Sequence, residues 1–267
     1  MTVEAVTEYA ARVLAANPGP MTLEGTNTWI LRAPDASTAV VVDPGPLLTG
    51  HLRTVLDAVA SYGCEVEVVL LTHGHFDHSE GAAWFAERAG CGVRSVDPAF
   101  RLAGRSGGSA EGPGGLAEGD VITAGALRVE VLATPGHTLD SVCFWLPQDG
   151  SLLTGDTVLG RGTSVVAHPD GALGPYLDSL ERLSAFASSS GVQRLLPGHG
   201  PVIEDPTGVL DFYLQHRQER LAQVREALAA GAVTPREVVE RVYTDVDPVL
   251  WPAAERSVQA QLDYLHG

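Results

Sequence analysis

The sequence predicts an α/β protein with a sheet core followed by a small all-helical C-terminal module, and three observations carry that prediction. Short apolar segments bounded by Gly, Pro or Asp interleave with stretches whose apolar residues recur three and four apart. Strands alternating with helices favour a layered α/β architecture. After Asp205-Pro206 the strand signals stop and only helical patterns follow. A chain of 267 residues that is 45% hydrophobic can bury one sizeable core and a small second unit. The expected division is residues 1–205 and 206–267.

In chain order, strands are expected at residues 28–31, 38–42, 66–72, 127–133, 141–146, 151–154 and 193–196, all rich in β-branched or other apolar side chains. Helices are expected between them at residues 50–62, 79–89 and 175–188. Residues 104–120, GRSGGSAEGPGGLAEGD, have no apolar periodicity and read as a surface loop. The tail offers helices at residues 208–230, 234–242 and 247–265, the second with Thr234 as cap and Pro235 in its first turn.

Composition narrows the class. The formal net charge of −16 repels polyanions, so any nucleic-acid contact has to be local. All 17 basic residues are arginine, which reads as compositional bias. Cys64, Cys91 and Cys143 are odd in number and widely spaced, which suits reduced, buried thiols better than a disulfide framework. No apolar run reaches the ~18–20 residues of a membrane span, and the N-terminus lacks the basic-then-apolar layout of a secretory signal. A cytoplasmic protein with no membrane partner is expected.

The chemistry is concentrated in LLTHGHFDHSEG, residues 70–81, where His73, His75, Asp77 and His78 fall within six positions. Imidazole nitrogen and carboxylate oxygen suit zinc. His73 and His75 alternate at the end of an apolar strand and can face one way, while Asp77 and His78 sit on the turn into the next helix. Four ligands are too few for two closed metal sites. Three further candidates follow apolar strands, each beside glycine: His137 in ATPGHTLDS, Asp156 in LLTGDTVLG and His199 in LLPGHGP. A strand end holds a ligand rigidly, and glycine lets the backbone turn closely around an ion. His51, His168, His216 and His266 lack this context and read as surface or structural. Cys143 alternates into the core side of SVCFWL, and neither a serine nor a cysteine nucleophile is expected.

The series His-x-His-x-Asp-His, then a later histidine, aspartate and histidine, resembles the metallo-β-lactamase superfamily, whose fold is a four-layer αββα sandwich with the metal site at one edge. The resemblance implies that His73, His75 and His137 hold one zinc, that Asp77, His78 and His199 hold another, and that Asp156 bridges them. It covers roughly residues 13–205. The stretches NPGPMTLEGTNTWIL, VVDPG and TGDTVLGRGTSVV, with the tail starting FYLQHRQERL, look like the β-lactamase-like endoribonuclease branch. That branch carries a winged-helix-like C-terminal module and acts on single-stranded RNA; relatives act as thioesterases on carrier-bound acyl chains.

Two metals about 3.5–4 Å apart can share a hydroxide and stabilise charge on the attacked centre, so the expected nucleophile is water. Asp77 and Asp156 are the expected catalytic carboxylates, Asp77 orienting the water and relaying a proton, Asp156 setting the metal–metal distance. Candidate substrate contacts are Phe76, weighed against packing on the sheet, Asn27 with Thr26, weighed against a turn role, and Arg161, weighed against a surface salt bridge. Three readings stand: a single-stranded-RNA phosphodiesterase, a hydrolase of small thioesters or esters, and a non-catalytic metal-binding module. The third is disfavoured because every ligand position is occupied. From Asp211 onward six arginines face nine acids, an unfavourable balance for a single-strand groove. Arg217, Arg220 and Arg225 can form a local phosphate stripe, weighed against plain solvation of a helix face, or the tail can serve as a homodimer contact or pocket cover.

Overall fold

The computed structural model describes residues 2–104 and 114–266. Residues 105–113 of the expected glycine-rich loop lie outside the described residues. The first sheet runs in chain order: β1 (Val3–Ala5), β2 (Ala10–Leu14), β3 (Asn27–Leu31), β4 (Thr38–Val42), β5 (Glu65–Leu70) and β6 (Gly92–Arg94). Its first four strands are antiparallel neighbours, and β4, β5 and β6 are parallel. The second sheet is ordered β11 (Arg194–Pro197), β10 (Ser151–Gly155), β9 (Val142–Leu146), β8 (Leu127–Ala133), β7 (Val121–Ala124). Only β10 and β11 are parallel there.

Parallel neighbours require crossover connections, and these supply the outer layers. Helix α1 (Thr49–Ser61) joins β4 to β5, α2 (Phe76–Ser79) and α3 (Ala82–Ala89) join β5 to β6, and α4 (Leu173–Ser190) joins β10 to β11. The period of two along each strand divides the apolar residues between two cores. Val40 and Val42 of β4 meet Phe144 and Leu146 of β9 between the sheets. Ala39 and Val41 face the other way, onto Leu52, Val55 and Phe85 of the first helical layer. Cys143 and Trp145 of β9 pack under Tyr176, Leu180 and Leu183 of α4. The product is helix–sheet–sheet–helix, the four layers expected, and all three cysteines are buried free thiols.

Three helices complete the chain: α5 (Pro206–Ala229), α6 (Pro235–Val242) and α7 (Trp251–His266). Leu210, Tyr213 and Leu221 of α5 belong to the core under α4. Val224 and Ala227, further along the same helix, pack with Val238, Val239, Val258 and Leu262 in a separate tail core. Asp205 caps α5 by accepting from the Gly208 N–H at 3.0 Å. At α6 the Thr234 hydroxyl accepts from the Glu237 N–H at 3.2 Å, and Glu237 accepts from the Thr234 N–H at 3.2 Å, a reciprocal capping box. No helix among the described residues is long and apolar enough to cross a membrane.

Two local expectations are corrected. The single helix expected at residues 79–89 is interrupted, because the Gly81 N–H leaves the helical ladder to donate to the Gly45 carbonyl at 2.8 Å. Strands β1, β2, β6 and β7 were not expected; β1 and β6 are three residues long, and AARVL of β2 is alanine-rich, with little β-branched signal. The capping geometry makes a quantitative prediction: Thr234→Ala lowers stability by about 1 kcal/mol, read as a lower urea midpoint with an unchanged slope.

Candidate metal centre

One edge of the sandwich is stitched across both sheets. The Asn27 N–H donates to the Gly198 carbonyl at 2.7 Å, the Val142 N–H to Thr72 at 2.8 Å and the Gly198 N–H to Gly155 at 2.8 Å. These bonds fix the loops after β5, β8, β10 and β11 relative to one another. Each expected ligand leaves from this edge: His73 and His75 beyond β5, Asp77 and His78 on α2, His137 beyond β8, Asp156 beyond β10 and His199 beyond β11. Glycine is required by contact as well as by turning. A Cβ on Gly198 would lie 2.6 Å from Asp156 Oδ1 and 2.7 Å from His78 Cε1, and one on Gly136, at φ +146°, would lie 2.3 Å from Tyr176 Cα.

The inner faces of the imidazoles converge. His75 Nδ1 lies 3.0 Å from His73 Nε2 and 3.1 Å from His137 Nε2. His78 Nε2 lies 3.2 Å from His199 Nε2, which in turn is 3.1 Å from Asp77 and 3.3 Å from Asp156. Asp156 also reaches toward His78 at 3.4 Å and His137 at 3.8 Å. Three overlapping groups have ligand atoms within 4.8 Å of one another: His73, His75 and His137; His73, His78 and Asp156; and Asp77, His78 and His199.

The outer faces explain the orientation. The nitrogen of each ring that points away from the cluster meets an oxygen: His78 Nδ1 with Asp43 at 2.8 Å, His137 Nδ1 with the Val165 carbonyl at 2.7 Å, His199 Nδ1 with the Gly25 carbonyl at 3.1 Å and His75 Nε2 with Asp170 at 3.0 Å. His73 Nδ1 lies 3.0 Å from Thr72 Oγ1, whose one proton goes to Asp43 at 2.6 Å, so the hydroxyl accepts from the ring. An N–H donated outward leaves a lone pair on the inner nitrogen. Five lone pairs and the carboxylates of Asp77 and Asp156 then face one another, and buried Asp156 Oδ1 has no hydrogen-bond partner. Only positive charge, as bound cations or as protons, satisfies such a set. Nitrogen and carboxylate donors in these numbers fit divalent first-row metals.

Ionisation shows the same demand for positive charge. Burial depresses His73 well below its ordinary value, helped by the neighbouring charges of His78 and His137. Burial likewise takes His137 down to about 4 against the pull of Asp156. For His199, burial opposes protonation, yet the charge of Asp156 and hydrogen bonds to Asp156 and Asp77 lift it to about 9. His78 is raised well above its ordinary value, burial again being outweighed by Asp156, Asp43 and Asp77. Asp77 is lowered because His78 and His199 overcome its burial, so it is ionised at neutral pH and acts as an acceptor.

The expected substrate contacts fare differently. Asn27 is fully buried, and its amide donates to the Pro197 and Gly200 carbonyls, both at 2.9 Å. It clamps the His199 loop through its amide N–H groups, and its Oδ1 is buried without a partner. Thr26 is equally buried, accepting from Asn17 at 3.0 Å. Phe76 does not pack on the sheet; it is 76% exposed beside the ligands. Arg161 pairs with Glu24 on the surface. Of the arginines weighed as a phosphate stripe, Arg217 turns inward onto the Ser164 carbonyl and Arg220 donates to the Val242 carbonyl at 2.8 Å while stacking on Tyr243. His51 is a buried structural histidine, 2.8 Å from Thr28 Oγ1. Sequence reasoning missed Asp43, Thr72 and Asp170 as groups behind the ligands. Asp43 had a signal, since VVDPG repeats the pattern of apolar strand, polar residue and glycine; the others had none.

A buried imidazole–carboxylate cluster at the edge of a four-layer αββα sandwich defines a metal-dependent hydrolase. The chain belongs to the metallo-beta-lactamase superfamily, whose family model matches residues 21–199, and a beta-lactamase associated winged helix domain matches residues 234–266. It is similar to the beta-lactamase-like protein 2 homologs of Drosophila melanogaster (32% identical, covering 98% of this chain and 89% of that one) and Caenorhabditis elegans (29%, 98% and 86%). A metallo-beta-lactamase family protein from Thermus thermophilus superposes with a TM-score of 0.77 at 22% identity, over 98% of this chain and 94% of that one.

Two outcomes follow. A histidine held above its unfolded value of about 6.5 contributes stability that is complete below that value and is lost as pH rises through its folded value. Metal-free protein is therefore expected to melt progressively lower from pH 6.5 toward 9, the interval set by His199. Metal competes for the same nitrogens, so the rise in melting temperature on adding it should grow over that interval. Asp43→Asn, which removes an acceptor behind His78 and Thr72, is expected to weaken metal affinity about 10–100-fold in a chelator competition.

Proposed function

We propose that the protein is a dinuclear zinc hydrolase that activates water to cleave an ester-type bond. The observation that carries this reading is the set of inward lone pairs held in two triads, His73, His75 and His137 beside Asp77, His78 and His199, with Asp156 reaching both. Two zinc ions there would lower the pKa of water toward neutrality and stabilise the negative charge that develops on the attacked centre. Asp77, ionised and part-exposed at the mouth, accepts the proton of the attacking water and orients it. Asp156, buried between the triads, holds its two oxygens toward His78 and toward His137 and His199. The imidazoles are ligands and remain locked by their outer bonds.

The mouth favours a small acyl thioester or ester as substrate. Exposed Phe76 and Leu139 rise from the segments that carry His75 and His137, and exposed Met21 lies in the loop that leads to Gly25. Such a rim suits an apolar acyl arm, and Arg217 and Arg220 of the tail are turned onto backbone carbonyls. Single-stranded RNA is the second reading, supported by the resemblance to the endoribonuclease branch, by the matched winged-helix-associated segment and by Phe76 as a stacking face.

Zinc-loaded protein incubated in parallel with end-labelled single-stranded RNA and a panel of acyl thioesters separates the readings. Thioester cleavage that disappears with chelator and drops roughly 10²–10⁴-fold in Asp77→Ala, while that variant melts within a few degrees of the parent, is the expected result. RNA cutting with the same controls and no thioester turnover would replace the first reading by the second. Neither activity at two equivalents of zinc would reject both.

A further inference from the structure

We propose that the C-terminal helices position the metal-ligand loops, with Tyr213 and Arg217 of α5 and Ser257 of α7 as positioning residues. The inference rests on reading the cluster as a metal centre. It concerns what keeps that centre in shape.

The His137 Nδ1–H is fixed by the Val165 carbonyl at 2.7 Å. Val165 sits on an irregular segment between β10 and α4, and such a segment does not hold a carbonyl direction by itself. The carbonyls on either side are anchored from the tail: Arg217 donates to Ser164, and the Ser257 hydroxyl donates to Val166 at 3.1 Å. With both neighbours held, the Val165 carbonyl between them is aimed at His137. Further along, the His168 N–H donates to the Arg256 carbonyl at 3.2 Å, and the His168 ring lies 3.0 Å from Asp263. Two residues later Asp170 accepts from His75. The Asp156 loop is held the same way, since the Tyr213 hydroxyl accepts from the Leu159 N–H at 2.9 Å.

The chemistry of Arg217 argues against incidental packing. It is only 7% exposed, and no carboxylate among the described residues lies within ion-pair distance of it. A buried guanidinium is costly unless its donors are used, and an apolar side chain would fill the same space without that cost. Its group lies 5.0 Å from the Tyr176 ring centre and donates to the loop. Tyr176 in turn donates to the Thr157 carbonyl at 2.7 Å, beside Asp156. Arg217 thus joins both ligand-bearing loops to one helix. Helix positions hold such partners more precisely than loop positions do.

The test compares Arg217→Met, Arg217→Lys, Tyr213→Phe and Ser257→Ala with Val239→Ala, a truncation in the tail core that touches neither loop. Each full-length protein is titrated with zinc against a chromogenic chelator, and its cobalt form is examined by visible absorption. Arg217→Met is expected to weaken the weaker-binding equivalent about 10–100-fold and to alter the cobalt bands. Arg217→Lys recovers part of the loss, and Val239→Ala leaves affinity and spectrum at parental values even where it melts lower. If the loop-contacting variants and Val239→Ala matched at equal melting temperature, the inference would be overturned. Should Arg217→Met not fold, Tyr213→Phe and Ser257→Ala decide the question by the same readouts. Parent protein that binds no metal overturns the metal-centre reading instead, which keeps the two failures apart.

Discussion

The structure depends on an arrangement that is unfavourable by itself: imidazole lone pairs and carboxylates pressed together at 3.0–3.4 Å. Each ring has an oxygen behind it that takes its outward N–H. Those oxygens come from the first sheet's edge (Asp43 and Thr72), from the Gly25 carbonyl and from the segment after β10. Protons on His78 and His199, or bound cations, offset the repulsion, and backbone bonds between the two sheets hold the groups together. Asn27 is the clearest part of this. Its main chain and its amide both grip the loop from Pro197 to Gly200, so β3 of one sheet fixes a ligand carried by the other.

The imidazole–carboxylate cluster was legible in the sequence because the signal of its members is local. Each follows an apolar strand, and each lies close to glycine, so the pattern repeats in one dimension. The four-layer division was expected from the resemblance alone; the period of two in β4 and β9 is its physical basis, separating Val40 from Val41 and Phe144 from Cys143. What stands behind the ligands was not. Val165 and Gly25 act through carbonyls, which no side chain announces, and Asp170 meets His75 across 95 positions. Asn27 was read as a substrate contact because a polar residue near a strand end gives no sign of which way it faces. For Phe76 two readings stood, a substrate contact and packing on the sheet, because an apolar residue inside a motif gives no sign of its exposure; at 76% exposed it is not packed.

The tail shows why composition and disposition differ. Counting six arginines against nine acids gives a net charge, which bears on long-range attraction but not on where a guanidinium points. Arg217 and Arg220 are directed at backbone carbonyls and aromatic faces. Arg236 is held by Glu240 and Glu255 and lies over Trp251. Their aliphatic stems and planar heads work as structural cement, for which arginine's rigid fork is suited.

The two triads are supported from different directions. Asp77, His78 and His199 rest on Asp43 and the Gly25 carbonyl, inside the body of the first sheet and its loops, and His78 and His199 are fully buried. His75 and His137 lean on the segment from Ser164 to Asp170, and the His75–Asp170 contact is open to solvent. Asp43 is the common element. It meets His78 directly and His73 through Thr72, so a displacement of either triad is felt by the other through one carboxylate. A half resting on the first sheet and a half resting on the segment that the tail holds thus share one anchor, which suits hydrolysis because the attacking water and its acceptor need a fixed geometry.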